Sequence, residues 1–312
     1  MRYAETVPCD YVRPYTYTVG PSRQDIIAIA RANHGALWLI GNEMDRRDYG
    51  RVCSWGADGH YGPVQDGGQS EMLPEAYAQA YHELHELIKG VDPSAKVAIG
   101  GVIQATPARL DYLDKIWESY RDQNYGQEMP VDVWNVHNFI IKEDCNDFGA
   151  DVPPGYTGLI QPSIGAWYDT AYNNPCRATV YHEVNGVQVG DQSHDNMEIF
   201  DAQIRAFRKW MKEHGQKEKP LIVSEYGFVY EHILEDPVIP GADSRNQTRI
   251  TNFMLLTFDY FLNTKDADLG YSADDDRLVQ RWAWFGLDTL YDFNAHGLTP
   301  RGTAFSDWTR NH

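Results

Sequence analysis

The sequence predicts an α/β fold in which buried parallel strands alternate with amphipathic helices. Three observations lead there. Ala36 to Asp45 reads Ala-Leu-Trp-Leu-Ile-Gly-Asn-Glu-Met-Asp, a short apolar run that stops at Gly41 and delivers Asn42 and Glu43. Pro220 to Phe228 repeats the layout as Pro-Leu-Ile-Val-Ser-Glu-Tyr-Gly-Phe and delivers Glu225. Stripes of apolar residues at helical spacing separate these and further short apolar runs. A run of this length bounded by turn residues reads as a strand buried on both faces, and strands spaced by helices read as βαβ units.

Taken in order, residues 1–21 are punctuated by Pro8, Pro14 and Pro21, and Val12 to Val19 has room for one extended segment. Ser22 caps a helix to about Ala32, with Ile26, Ile27, Ile29 and Ala30 on its apolar side, and Asn33-His34-Gly35 ends it. After the first Glu-bearing strand, residues 44–73 are too long for an ordinary connection and are expected to shape a cleft. Pro74 opens a helix whose stripe is Ala76, Tyr77, Ala80, Tyr81, Leu84, Leu87 and Ile88, closed by Gly90. Ala95 to Gly101 is a strand leading to Gln104; Leu110, Leu113, Ile116, Trp117 and Tyr120 mark a helix; Val131 to His137 is the next strand. Residues 139–194 form the longest insertion, with a hairpin expected over Thr179 to Val189 that turns at Asn185-Gly186. Ile199, Phe200, Ile204, Phe207, Trp210 and Met211 mark a helix before the second Glu-bearing strand. A helix over Ile250 to Leu262, a strand over Leu278 to Phe285 and a closing helix over Thr299 to Trp308 complete the chain.

The formal net charge is −18, so the surface repels nucleic acid and anionic membrane, and neither is expected as a partner. No apolar run approaches the roughly 18 residues of a membrane span. Neutral polysaccharide is indifferent to the charge, and nine Trp with twenty Tyr offer rings on which sugars stack, although aromatic cores give the same count. Cys9, Cys53, Cys145 and Cys176 form no Cys-x-x-Cys, which argues against a zinc ribbon or thioredoxin-like motif. Free thiols are the first reading, and a Cys145–Cys176 pair the alternative for an exported protein. His82-Glu83-Leu84-His85 spaces its histidines three apart rather than four, which fails the zinc-protease pattern. Asp266-Ala-Asp268-Leu-Gly270 and Asp274 to Asp276 read as a solvated acidic loop before they read as a calcium site. No nucleophile elbow or phosphate loop is present. No metal and no cofactor are expected.

Two carboxylates delivered by two buried strands are the equipment of glycoside hydrolysis, in which one acts as acid/base and the other as nucleophile or base. From the first stretch alone, an Asn-Glu pair that caps the following helix reads as well. The chain resembles the glycoside hydrolases of clan A, whose catalytic domain is a TIM (β/α)8 barrel. The resemblance runs from about Leu37 to Trp308 and rests on Asn42-Glu43, on Asp132-Val-Trp-Asn-Val-His137, on Glu225 and on Arg281-Trp-Ala-Trp284. Within the clan it is nearest to the barrels called putative glycosyl hydrolase catalytic core, some of which act on β-1,3-glucan.

The resemblance implies that Glu43 ends the clan's strand four as acid/base and Glu225 ends strand seven as nucleophile. The acid/base role demands a raised pKa for Glu43 and the nucleophile's an ionised Glu225. Asn42, Gln104, His137, Asn138, Tyr226, Trp282 and Trp284 are the expected substrate-binding residues, Trp284 as the floor of the sugar site and Trp282 toward the core, one of the two facing the cleft. Only 35 residues precede Ala36. They leave room for at most one strand ahead of it, so an incomplete barrel is expected, one domain over 1–312 that lacks its first strands and any leader peptide they carried. The expected protein is a monomeric, secreted or envelope enzyme that cleaves β-linked poly- or oligosaccharide with retention. A carbohydrate-binding pseudoenzyme is the alternative.

Overall fold

A computed structural model describes residues 2–6, 16–46, 52–55, 61–65, 69–141, 143–144, 150, 153–154, 179–180, 182–184, 187–189, 194–228 and 242–312. Five parallel strands carry the fold: β1 Leu37–Asn42, β2 Lys96–Gly101, β3 Trp134–His137, β4 Leu221–Tyr226 and β5 Arg281–Trp284. β1 pairs with β2 from Leu37↔Lys96 to Asn42↔Gly101. Single bridges at Ala98↔Val133 and Val102↔Val136 link β2 to β3. β4 lies between β3 and β5, with Glu225 opposite His137 and Tyr226 opposite Trp284. The spatial order is therefore the chain order. Sequential parallel strands joined by right-handed crossovers place every helix on one face of the sheet.

The helices are α1 Arg23–Ala32, α2 Pro74–Val91, α3 Pro107–Gln123, α4 Met197–Glu213, α5 Ala242–Asn263 and α6 Pro300–Asn311. Their starts are set by local chemistry. Ser22, Thr106, Asn196 and Thr299 accept hydrogen bonds from first-turn amides, and Pro occupies the first turn of α2, α3 and α6. α2 runs through Gly90 to Val91, and α5 begins eight positions ahead of the expected Ile250. On α1, Ile26 and Ala30 are buried whereas Ile29 is exposed.

Strand alternation divides the core. Trp38, Ile40, Val97, Ile99, Trp134, Val136, Leu221 and Val223 join the large core with the helices. Trp134 meets Trp117 of α3 and Trp210 of α4, with ring centroids 6.1 and 4.9 Å away. Ala98, Val133 and Ile222 form a separate small cluster on the inner face, with Leu39 against it. That face is less covered: Leu37, Arg281 and Ala283 are exposed.

Two strands precede β1, where the sequence allowed one. Arg2–Thr6 and Thr16–Gly20 pair antiparallel with each other. Each is only five residues long, so two fit ahead of α1 where one extended segment was expected. The 44–73 insertion also holds an antiparallel pair, Val52–Trp55 with Tyr61–Gln65. In the 139–194 insertion, His182–Val184 pairs with Val187–Val189; the expected turn at Asn185-Gly186 lies outside the described residues, as do Cys9, Cys145 and Cys176. Among the described residues, no helix is long and apolar enough to cross a membrane.

Candidate active site

The carboxyl ends of β1, β3 and β4 bring Glu43, His137 and Glu225 together. Glu43 is the first residue past β1, in the left-handed region at φ 45°, and its amide donates to Gly101 O at 2.9 Å. The preceding Gly41 takes φ 93°, a turn that favours glycine. In β4 the register slips between Val223 and Glu225. Such an irregularity re-aims side chains at sheet ends, and Glu225 points to the same side as His137.

His137 is the hub. Its Nδ1 lies 3.0 Å from Glu43 Oε1 and 3.9 Å from Glu225 Oε2. One donor atom from each of the three residues falls within 4.8 Å of the other two. A cation of suitable size fits such a group, although the sequence leads to none. The imidazole lies against Gly101, where a Cβ would come 2.3 Å from its Cδ2 and 2.5 Å from its Nε2. The side chain of Glu43 is 4% exposed, that of Glu225 32%, so only the second carboxylate is reached directly from solvent.

Glu43 is further held by residues that sequence reasoning missed. Arg46 Nη1 and Gln69 Nε2 both donate to Glu43 Oε2 at 3.1 Å. Behind them Asp45 is fully buried, accepts from the Ile103 amide at 3.2 Å and pairs with the equally buried Arg109 at 3.2 Å. Arg109 also donates to the carbonyls of Asp45 and Ala150. These contacts fasten the segment after β1 to the segment after β2.

The electrostatics reverse the expected order of the two glutamates. Burial pushes Glu43 up, but the hydrogen bond and charge of His137, then Arg46 and Gln69, outweigh it and leave its pKa at about 2. Burial, with the charge of Glu43, raises Glu225 despite the opposing pull of His137. For His137, burial disfavours the charged ring, yet the Glu43 hydrogen bond and the charges of Glu43, Glu225 and Asp45 raise it. The expected raised pKa of Glu43 is thus corrected: three donors on one carboxylate favour its ionised form.

The other expected contacts divide. Asn42 sits on the rim beside Glu43, partly buried, its amide donating to Ser70 Oγ at 3.1 Å. Gln104 is buried and exchanges two hydrogen bonds with the backbone of Ile141, at 2.9 and 3.0 Å, so it fastens a loop and is closed to a sugar. Asn138 is buried too; its amide donates to Glu225 O and its Nδ2 to Phe200 O. Tyr226 is fully buried among Phe200, Phe261 and Trp284, its hydroxyl 3.2 Å from that of Thr257. It follows Glu225 by one position and so faces the helices.

Trp282 lies toward the core as expected, whereas the place of Trp284 at the sugar site is corrected. Residues two apart on a strand share a face, so both point to the same side, and that side is the helices. Trp282 stacks on Phe261 with centroids 5.0 Å apart, and Trp284 packs on Tyr226 and Phe253. The aromatic ring that the alternation sends the other way is Phe285. It is 46% exposed and meets Phe139, which in turn meets His137. Counting by twos from Arg281 would have found it. Gln69, brought in from a distant loop, had no signal.

No family model matches the chain, and no curated protein does either. Among solved structures, the chain is similar to a GH128 (subgroup II) endo-β-1,3-glucanase from Pseudomonas viridiflava at 14% identity, covering 91% of this chain and 72% of that one with a TM-score of 0.42. It is likewise similar to a GH128 (subgroup III) curdlan-specific exo-β-1,3-glucanase from Blastomyces gilchristii in complex with glucose, at 16% identity, 90% and 74% coverage and a TM-score of 0.47.

Proposed function

We propose that the protein is a retaining glycosidase acting on a β-linked poly- or oligosaccharide, built as a (β/α)8-type barrel wall. One observation carries the reading: two carboxylates from different strands meet at one rim with donor oxygens within 4.8 Å. Retaining chemistry works with carboxyl groups about 5–5.5 Å apart, because the nucleophile touches the sugar itself, and inverting chemistry needs roughly 6.5–9.5 Å for a water. Oxygens this close place both carboxyl groups on one cleft, and retention is the part of the reading that trapping of a covalent intermediate tests.

In this reading Glu225, the more accessible carboxylate, attacks the anomeric carbon while Glu43 protonates the departing glycosidic oxygen. Glu43 then takes a proton from the water that releases the sugar from Glu225. The proton that Glu43 first delivers has a source at hand, since His137 Nδ1 sits 3.0 Å from its Oε1. The three donors on Glu43 favour a second reading with the roles exchanged, Glu43 as the ionised nucleophile and Glu225 as the acid. Phe285 is the ring placed to stack on a sugar near the pair.

Turnover of aryl β-glycosides and of laminari-, cello- and manno-oligosaccharides tests the class of reaction. Glu225→Gln is expected to abolish hydrolysis, and activity that survives it refutes the assignment. Trapping with a 2-deoxy-2-fluoro glycoside followed by peptide mass mapping decides the roles: a label on Glu225 supports the first assignment, a label on Glu43 the exchanged one. Oligosaccharide binding without release of reducing ends replaces the enzyme reading by a binding protein.

A further inference from the structure

We propose that Glu43, His137 and Glu225 form a binding site for a divalent transition-metal cation, zinc in particular, and that the bound ion shuts the site off. The metal site rests on the placement of these three side chains, and the shut-off rests in addition on the hydrolytic reading.

The distances suit a first coordination shell. Zinc binds imidazole nitrogen and carboxylate oxygen at roughly 2.0–2.2 Å, which puts neighbouring tetrahedral ligands about 3.4 Å apart. His137 Nδ1 stands 3.0 Å from Glu43 Oε1 and 3.9 Å from Glu225 Oε2, on either side of that value. All three donors lie within 4.8 Å of one another, so small side-chain rotations close the shell.

The surroundings are those of a held ligand set. Glu43 Oε2 is fixed by Arg46 and Gln69 at 3.1 Å, leaving Oε1 to the ion. Hydrogen bonds of this kind to a ligating carboxylate are what orient it. Gly101 holds the imidazole edge-on by contact. Glu225 is a third exposed on its side chain and leaves an approach from solvent. Two carboxylates this close repel each other when both are ionised, and a divalent cation relieves that repulsion. The nitrogen donor disfavours magnesium and calcium, which take oxygen ligands, and suits zinc. Coordination at Nδ1 displaces the proton that this atom shares with Glu43. With both carboxylates bound to the ion, neither is free to attack a carbon or move a proton.

Calorimetric titration of the full chain with zinc chloride near neutral pH tests the site. A single tight equivalent is expected, with proton release. His137→Asn and Glu225→Gln should each weaken it by more than the roughly 10–100-fold that loss of an outer partner costs, and Gln69→Ala by an amount within that range. Magnesium should not compete. Far-UV circular dichroism checks that each variant is folded; should His137→Asn fail to fold, the more exposed Glu225→Gln decides. No zinc binding, or binding unchanged in the folded variants, overturns the proposal, the latter because it locates the ion on the acidic surface. Hydrolysis assayed after chelation with EDTA and again with added zinc separates the two ideas: turnover without zinc binding refutes the metal site alone, turnover that bound zinc leaves unchanged refutes the shut-off, and a chain that binds zinc yet shows no turnover after chelation refutes the glycosidase alone.

Discussion

Replacing Arg109 by Met removes the cationic partner of a carboxylate that no solvent reaches. Asp45 and Arg109 are both fully buried, and Arg109→Met leaves the Asp45 carboxylate with the backbone amides of Ile103 and of Asp45 itself. Breaking a buried pair from one side costs about 3–5 kcal/mol, because the remaining charge is uncompensated. Against a typical total of roughly 5–15 kcal/mol this is a large loss. At about 2–4 °C per kcal/mol for a chain of a few hundred residues, Tm should fall by roughly 6–20 °C.

The pH dependence gives a sharper reading. Burial raises Asp45 from 3.8 to about 6, Arg109 opposes that rise and Glu43 adds to it. A carboxyl group whose folded pKa is raised contributes stability that is fully present below pH 3.8 and is lost as pH rises through about 6. A shift of two units corresponds to about 3 kcal/mol. Without Arg109 the folded pKa rises further, so the deficit of the variant should shrink below pH 6 and be largest above pH 7. Asp45→Asn added to Arg109→Met should recover most of the loss at neutral pH, since no buried charge then remains. Urea unfolding at pH 5 and pH 8 measures this. A loss under about 1 kcal/mol, a deficit independent of pH, or a double variant no better than the single one refutes the reasoning.

Two further outcomes follow from the geometry of the sheet. Gly101→Ala places a methyl group 2.3 Å from the His137 ring, which must turn away from Glu43; stability should fall by about 1–3 kcal/mol, and kcat/KM on an aryl glycoside by roughly a hundredfold, whereas unaltered turnover contradicts the role of His137. Trp282→Ala removes a ring packed on Phe258 and Phe261 and should cost about 2–4 kcal/mol in denaturant unfolding with oligosaccharide affinity unchanged; a drop in that affinity means the ring faces the cleft after all.

Much of the scaffold could be read from local pattern, because each strand is a short apolar run and each helix an apolar stripe. Glu43, Glu225 and His137 were legible for the same reason: each stands at the end of such a run, where parallel sheets place their chemistry. The misjudged residues share a different cause. Gln104 and Asn138 lie just past strand ends, where alternation no longer tells which way a side chain turns, and Tyr226 follows the register slip between Val223 and Glu225. Trp282 and Trp284 were legible by alternation and should have been paired on one face from the start. Arg46, Gln69 and Arg109 come to Glu43 and Asp45 across loops, and no periodicity links them. The charge state of Glu43 depends on those partners, so the identity of the residue was visible and its ionisation was not.

The contact between His137 and Gly101 bears on the energetics of any ligand. A buried imidazole confined by backbone on one edge and by Glu43 at Nδ1 has surrendered its rotamer freedom during folding. Glu43 is likewise immobilised by three donors. A ligand entering at Glu225 therefore meets two side chains that have no ordering entropy left to lose, and its affinity is not diminished on their account. Of the three side chains, Glu225 is the one that solvent reaches, so adaptation to differently shaped ligands falls to it while Glu43 and His137 act as a fixed template.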